Sequence, residues 1–363
     1  MEKLAVIGIG RLGLCFALNA EKSGYEVIGI DVNQEYVNQL NAKTYSSPEP
    51  LVNEYLSASC NFSSYTDIKV IEQEQVNIIY IIVPTPSQHD NSFSHSYIES
   101  VVSQLMELKK PEELKHIIIG ATVMPGYCNE LSVKMKDWNY SISYNPEFIA
   151  QGSIMRDQQN PDQILIGEGH PDATIFLKNL YARMCISSPE YHVMDTLSAE
   201  ITKLATNCFL TMKISFANSI GDLIKRTGGD EDKVLSAIGA DSRIGSKYLG
   251  YGYGFGGPCF PRDNQALLYF AKEQKMTLPL SEATIEVNKN HLQFQYEQLL
   301  RENREEFVFD YVTYKKNTDI IEQSQQLELA VKLANTGKKV ILKNSNHIKH
   351  SIELMYPGLF YYE

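Results

Sequence analysis

The sequence predicts an α/β protein: an N-terminal doubly wound parallel sheet, a helical middle domain with a long central helix, and a small α/β unit at the C-terminal end. Three observations carry that expectation. From residue 1 to about 195, short apolar runs alternate with helix-like segments, which is the pattern of strand–helix–strand crossovers in a parallel sheet. After Asp195, apolar residues recur at helical spacing from 196 to 227, until Gly228 and Gly229 stop them. From about Glu306 the strand, helix, strand alternation returns and runs to Lys343. The expected divisions are 1–195, 196–304 and 305–363, and a chain of 363 residues is long enough for more than one domain at about 150 residues each.

In order along the chain, residues 3–8, 25–30, 77–84, 116–122 and 140–148 read as buried strands. Helical patterns follow at 196–227, 230–240, 263–275 and 279–304, with the glycine-rich run 250–257 between the second and third. The last unit reads as a strand at 307–313, a helix at 324–335 ended by a Gly337 C-cap signal, and a strand at 339–343. No internal repeat of fixed period is present.

With 43% hydrophobic and 21% charged residues and no long Pro or Gly tract, the composition is that of an ordinary globular chain rather than a disordered one. A net charge of -11 repels nucleic acid and anionic membranes, so neither is expected as a partner, although a local basic patch can still receive a phosphate. The N-terminus opens directly on strand-like residues, leaving no room for a signal peptide. No apolar run approaches the roughly 20 residues that span a bilayer, and a cytoplasmic protein is expected. The six cysteines, at 15, 60, 128, 185, 208 and 259, form no CxxC pair and have no neighbouring His, so neither a metal site nor a disulfide framework is expected. Most should be small buried hydrophobes.

Gly8-Ile9-Gly10-Arg11-Leu12-Gly13 follows a predicted strand, opens a predicted helix, and precedes a second strand ending at Asp31, 18 residues beyond Gly13. This is the full context of a Rossmann-type dinucleotide turn. Gly8 permits the tight turn, Gly10 lets backbone amides approach a pyrophosphate, and Gly13 lets helix pack on strand, while the helix N-terminus favours the anion. Asp31 is suited to ribose hydroxyls and repels a 2′-phosphate, which favours NAD over NADP. Arg11 either adds a charge contact to the pyrophosphate or faces solvent. Pro84 and Thr85, and Thr122 within Ala121-Thr122-Val123, lie at carboxyl ends of predicted strands, where ligands bind in such sheets. They are candidates for the nicotinamide side of the pocket, against the plainer reading that prolines merely end strands.

A second constellation carries chemistry. Cys259 follows a glycine turn and precedes a helix that Asp263 is placed to cap, a setting that favours thiolate over thiol; the alternative is a buried structural cysteine. The glycines around it allow a substrate to approach the backbone. Lys203 and Asn207 share one helix face at i, i+4 and could stabilise an oxyanion, or simply be a solvated pair; Glu200 stands on the same helix. Glu147, beside Phe148 in Asn145-Pro146-Glu147-Phe148, ends a strand with a carboxylate suited to acid/base work or to a structural turn.

These residues together resemble the UDP-glucose/GDP-mannose dehydrogenase family from residue 1 through about 343. The matching segments are the glycine turn, Pro84-Thr85-Pro86, Ala121-Thr122-Val123, Asn145-Pro146-Glu147-Phe148, Glu200-x-x-Lys203-x-x-x-Asn207, Arg243-Ile244-Gly245, Gly256-Gly-Pro-Cys-Phe-Pro-Arg-Asp263 and Lys315-Lys-Asn-Thr-Asp319. The resemblance implies a four-electron oxidation at C6 of a nucleotide sugar, with UDP-glucose favoured and another UDP- or GDP-hexose as the alternative, in which two NAD molecules are reduced in turn. It implies Cys259 as the nucleophile, water positioned by Asp263, Glu147 and Thr122, and oxyanions held by Lys203 and Asn207. Substrate contacts are implied for Glu147, Phe148, Lys203, Asn207, Arg243, Tyr248, Gly256 and Lys315. A homodimer is also implied, with Arg243 matching an arginine that reaches the neighbouring subunit's substrate.

The chain departs from the family pattern in a shortened C-terminal unit. It departs also at Thr318-Asp-Ile-Ile-Glu-Gln-Ser324, where Glu322 and Gln323 replace an arginine and a glutamate, at Tyr251-Gly-Tyr253-Gly, and at Gln163. Two other functions compete with the implied one. A one-hydride hydroxyacid dehydrogenase shares the helix Lys/Asn pair and needs no cysteine, and a binding scaffold could keep the cofactor fold without turnover.

Overall fold

Strands buried on both faces of a parallel sheet read as continuous apolar runs, and most of the strands here do. The computed structural model describes residues 1–149, 151–343 and 345–363. Eight strands form the first sheet: β1 (Lys3–Ile7), β2 (Glu26–Ile30), β3 (Phe62–Tyr65), β4 (Ile78–Ile81), β5 (Lys115–Ile119), β6 (Tyr140–Tyr144), β7 (Gln163–Gly167) and β8 (Glu190–Met194). Their order is β3-β2-β1-β4-β5-β6-β7-β8, with the reversal of direction at β1 that defines a doubly wound sheet. All described pairings are parallel except β6 with β7, which meet antiparallel at Tyr144 and Gly167. Alternate residues of β1 feed the cores on its two faces, Leu4 and Val6 into one and Ala5 and Ile7 into the other.

The five expected strands all form, and β3, β7 and β8 were not anticipated. β3 has two serines in four residues and β8 puts Glu190 and His192 on an edge, so neither shows an apolar run. β6 ends at Tyr144 rather than 148. Asn145 closes it: its Oδ1 accepts from the Tyr80 hydroxyl at 2.6 Å and the Tyr181 hydroxyl at 2.8 Å, and its Nδ2 donates to the Leu165 carbonyl at 2.8 Å. Pro146 then offers no N–H to continue the ladder.

The chain divides into two compact units, Met1–Lys203 and Leu204–Glu363, and the division falls inside the 32-residue helix Thr196–Thr227. The second unit contains the helices Glu231–Gly239, Phe260–Glu273, Pro279–Arg301 and Gln325–Ala334, and a small parallel sheet. That sheet orders β9 (Glu306–Phe309), β10 (Lys339–Leu342) and β11 (Tyr361–Tyr362) as β11-β10-β9. Asp230 and Ser324 cap two of these helices by accepting from Lys233 N and Leu327 N. No helix among the described residues is long and apolar enough to cross a membrane.

The start of one expected helix is corrected as well. The helix expected from 263 begins at Phe260, so Asp263 lies in its first turn and Cys259 takes the N-cap position, with no side-chain cap bond. Pro261 sits where a helix start leaves N–H groups without intrahelical partners, which is why the helix can begin ahead of it.

Candidate active site

At the glycine turn each glycine has a different physical reason. A Cβ on Gly8, whose φ is +87°, would lie 2.4 Å from the Ile82 carbonyl oxygen, and one on Gly13 would lie 2.0 Å from the Gly8 carbonyl oxygen. Neither position admits a side chain. Gly10, by contrast, has nothing within 4 Å of where its Cβ would be, so there the missing side chain serves an incoming group rather than the protein. Gly10 also takes the N-cap position of the helix Arg11–Lys22 and, having no side chain, caps none of its first amides. Arg11 donates to Gln151 Oε1 at 2.8 Å. Asp31 stands half-buried just after β2, its Oδ1 accepting from Asn33 N at 3.1 Å. An open approach at the middle glycine with an acid after β2 fits a dinucleotide pyrophosphate and its ribose.

The carboxyl ends of β4 and β5 are joined by Thr85, buried, which donates from Oγ1 to the Thr122 carbonyl at 2.7 Å; Pro84 is exposed and Thr122 half-buried. The loop after Thr122 is fixed by a residue whose role is not legible along the chain. Glu200, fully buried, accepts from Gly126 N at 2.6 Å and Cys128 N at 2.8 Å, capping the helix Tyr127–Met135 from 72 or more positions away. Burial pushes its carboxyl up, against the pull of those amide hydrogen bonds. His95 adds a second clasp, accepting from Met124 N at 3.2 Å while stacked on Tyr127. Burial holds its imidazole down to about 4, which keeps it neutral and able to accept. Glu200→Gln should strand one of the two amides and lower stability by about 1–3 kcal/mol, read as a fall in the urea midpoint. An unchanged midpoint would count against the capping role.

Glu147 and Phe148 lie in the loop after β6, and Lys203 comes to both. Its ammonium donates to the Glu147 carbonyl oxygen at 2.6 Å and lies 4.4 Å from the centre of the Phe148 ring. Only 7% of Lys203 is exposed, as of Asn207, so the pair is not a solvated one. Desolvation pushes the Glu147 carboxyl up to about 7, against the opposing pulls of the Lys203 ammonium and the Gln158 amide. A carboxylate near neutrality is suited to moving protons at physiological pH.

In the second unit, Cys259 is exposed, which sets aside the buried-cysteine alternative. It sits at the positive end of the helix Phe260–Glu273. The other thiols differ. Burial pushes Cys185 up to about 11, Cys208 up to about 12, and Cys15 and Cys128 higher still. Cys60 is exposed and donates to the Ala58 carbonyl, just past the C-terminal end of a helix. One turn beyond Cys259, the Asp263 carboxylate is 1% exposed and accepts from Asn207 Nδ2 at 2.6 Å through Oδ2.

The glycine run before Cys259 is anchored by side chains the sequence did not single out. His291, 1% exposed, contacts the Gly252 carbonyl at 2.7 Å through Nε2 and Asp222 at 2.9 Å through Nδ1, and Asn288 exchanges two hydrogen bonds with the Phe255 backbone. Gly256 and Gly257 serve packing. A Cβ on Gly256 would lie 2.2 Å from the Gln323 carbonyl oxygen, and one on Gly257 2.5 Å from the Tyr314 ring, while Gly257 N donates to the Glu322 carbonyl at 3.1 Å. Glu322 and Gln323 thus hold this turn through their backbones, so their departure from the family's residue types leaves those contacts in place.

The remaining candidates stand apart. Arg243 is exposed and forks onto Asp241 at 2.6 Å, Tyr248 is exposed with φ +62° and meets Phe260 edge-on, and Lys315 is exposed with its carbonyl accepting from Thr313 and Thr318 hydroxyls.

The doubly wound sheet and its glycine turn define a dinucleotide-binding dehydrogenase unit. Residues 2–185 match the NAD binding domain of the UDP-glucose/GDP-mannose dehydrogenase family, and residues 197–290 match that family's central domain. The UDP-glucose 6-dehydrogenase of Haloferax volcanii is 30% identical over 93% of this chain and 82% of its own length. That of Rickettsia felis is 28% identical over 92% and 76%. A solved UDP-glucose dehydrogenase from Pyrobaculum islandicum superposes with a TM-score of 0.88 at 30% identity, covering 100% of this chain and 86% of that one. The chain belongs to the UDP-glucose/GDP-mannose dehydrogenase family and is an NAD-dependent nucleotide-sugar dehydrogenase.

Proposed function

We propose that the protein oxidises the C6 alcohol of UDP-glucose to the carboxylate of UDP-glucuronate, through a covalent intermediate on Cys259. The observation that carries this reading is the exposed thiol at a helix N-terminus, with the buried Asp263–Asn207 pair one turn further on. The choice of UDP-glucose is supported by similarity to proteins described as UDP-glucose 6-dehydrogenases.

NAD, which the glycine turn and Asp31 would hold, would supply the hydride acceptor for each of two oxidations at C6. In the first the alcohol gives up its hydroxyl proton and becomes the aldehyde. An aldehyde yields its hydride poorly until a nucleophile makes the carbon tetrahedral, and the Cys259 thiolate supplies the new C–S bond. Loss of the second hydride leaves a thioester. Water then adds to the thioester carbon, the C–S bond breaks, and the carboxylate and the Cys259 thiol are released. Lys203 and Asn207 offer N–H donors to the alkoxide-like oxygen at each stage. Glu147, Asp263 and Thr122 serve the water and its protons. The test is stoichiometry: two NADH per acid released from UDP-glucose, with one NADH per turnover excluding the reading.

Glu147 gives this chemistry a pH signature. A base must be ionised to accept a proton, so with a carboxyl near 7 acid release should rise with pH through about 7 and level above it. Glu147→Gln should lower the plateau by about 100-fold and remove that rise, read in single-turnover experiments between about pH 5.5 and 8.5. A variant that keeps the same profile would reassign the base.

The active form is further proposed to be a homodimer joined through the long helix. Phe209, Phe216 and Leu223 are 58%, 47% and 57% exposed at seven-residue spacing on Thr196–Thr227, an apolar stripe suited to a second copy of the same helix.

A further inference from the structure

Two histidines and an aspartate converge in the first unit, away from every residue discussed so far. His116 is the second residue of β5, His170 precedes the helix Pro171–Met184, and Asp172 lies in that helix's first turn. One ligand atom from each lies within 4.8 Å of the other two. We propose that His116, His170 and Asp172 form a binding site for one divalent transition ion of the zinc, cobalt and nickel class.

The donor set decides the class of ion. Two imidazoles and one carboxylate suit borderline ions, whereas magnesium and calcium take oxygen ligands. Three protein ligands leave one position of a tetrahedral ion for water. A cleft of about 520 Å³, lined by Glu2, Lys3, Glu74, Asn77, His116 and Asp172, supplies that water and a route of entry.

His116 is already oriented as a ligand. It is 7% exposed, and its Nδ1 lies 2.7 Å from Ser141 Oγ, an outer contact of the kind that fixes a ligating ring and turns Nε2 toward the ion. The His170 ring centre is 5.2 Å from that of His116, and its Nδ1 is 3.7 Å from Asp172 Oδ2. Lys3, the nearby cation on the cleft wall, is already paired with Glu74 and Glu26. Ligation through Nδ1 would replace the hydrogen bond that this atom of His170 now accepts from Asp172 N at 3.2 Å.

The place in the fold assigns a role. β5 runs parallel to its neighbour β4, which is parallel to β1, so His116 lies at the amino-terminal ends of these strands and the glycine turn at the opposite ends. The ion therefore does not serve hydride transfer. It ties the start of β5 to the helix Pro171–Met184 and stabilises the folded state by mass action.

The full-length protein, stripped with a chelator, should bind one equivalent of Co²⁺ with visible bands of a four-coordinate site and no thiolate charge-transfer band. Zn²⁺ should displace it and raise the melting temperature. The exposed-side changes His170→Ala and Asp172→Ala should each weaken Co²⁺ by roughly 100-fold and abolish the thermal shift, while NADH formation by the metal-free variants stays at the parent rate. Both variants retain all six cysteines, so binding at thiols would be unaffected by them. Failure to bind one equivalent, or equal affinity in parent and variants, overturns the proposal.

Discussion

Cys259→Ala should lower acid formation from UDP-glucose by at least about a thousandfold, while Cys60→Ala stays within about twofold of the parent. The contrast rests on two thiols that are both exposed but lie at opposite helix poles. At the N-terminus of Phe260–Glu273 the helix dipole favours a negative sulfur, whereas Cys60 follows a helix C-terminal end beside the Ala58 carbonyl. Without a thiolate the aldehyde carbon becomes tetrahedral only by hydration, a far less effective route, so the second hydride transfer is the step that slows. Cys259→Ser keeps an attacking atom but replaces the thioester by an ester, which hydrolyses more slowly, and should accumulate covalently bound sugar nucleotide visible in the intact mass. A fully active Cys259→Ala enzyme would remove the covalent reading and leave a direct two-step oxidation in its place.

Gly13→Ala and Gly10→Ala should fail in different ways. At Gly13 the new methyl group would sit 2.0 Å from the Gly8 carbonyl oxygen and 3.0 Å from its carbon. Both partners are backbone, so no rotamer relieves the clash and the helix Arg11–Lys22 must move off β1. A loss of about 3 kcal/mol in stability is expected, together with NAD affinity at least about 100-fold weaker, since the displaced amides no longer meet the pyrophosphate. At Gly10 the methyl meets nothing within 4 Å and the backbone, at φ -62° and ψ -163°, tolerates any residue. That variant should melt within about 1 kcal/mol of the parent yet lose NAD, because its methyl stands where the anion approaches. Equal melting of the two variants would show that the turn relaxes more than its packing suggests.

Much of the site was legible because its signals are local. The glycine turn works through contacts five residues apart, Gly13 against Gly8, and the strand that precedes it and the acid that follows it lie within one βαβ unit. The long helix announces itself by periodicity and stops at Gly228, whose φ is +79°, as a left-handed cap requires. Asp263 was recognised but set in the wrong role. Its spacing from Cys259 suits a cap or a first-turn acid, and only the start of the helix at Phe260 separates the two.

What the sequence by itself determined is the kind of chemistry: a dinucleotide turn, a cysteine ahead of a helix, and a Lys/Asn pair one helical turn apart are each written in a few consecutive residues. What only the tertiary structure decided is how those pieces are held. The Glu200 cap on Gly126 and Cys128, the closure of β6 by Asn145 against Tyr80 and Tyr181, the antiparallel entry of β7, and the seating of Gly256 and Gly257 on the backbone at 322–323 all join residues far apart in the chain. Periodicity and turn chemistry report the neighbours a residue has along the chain, whereas a buried carboxylate or amide finds its partner only after the sheet and helices have packed and left it without water.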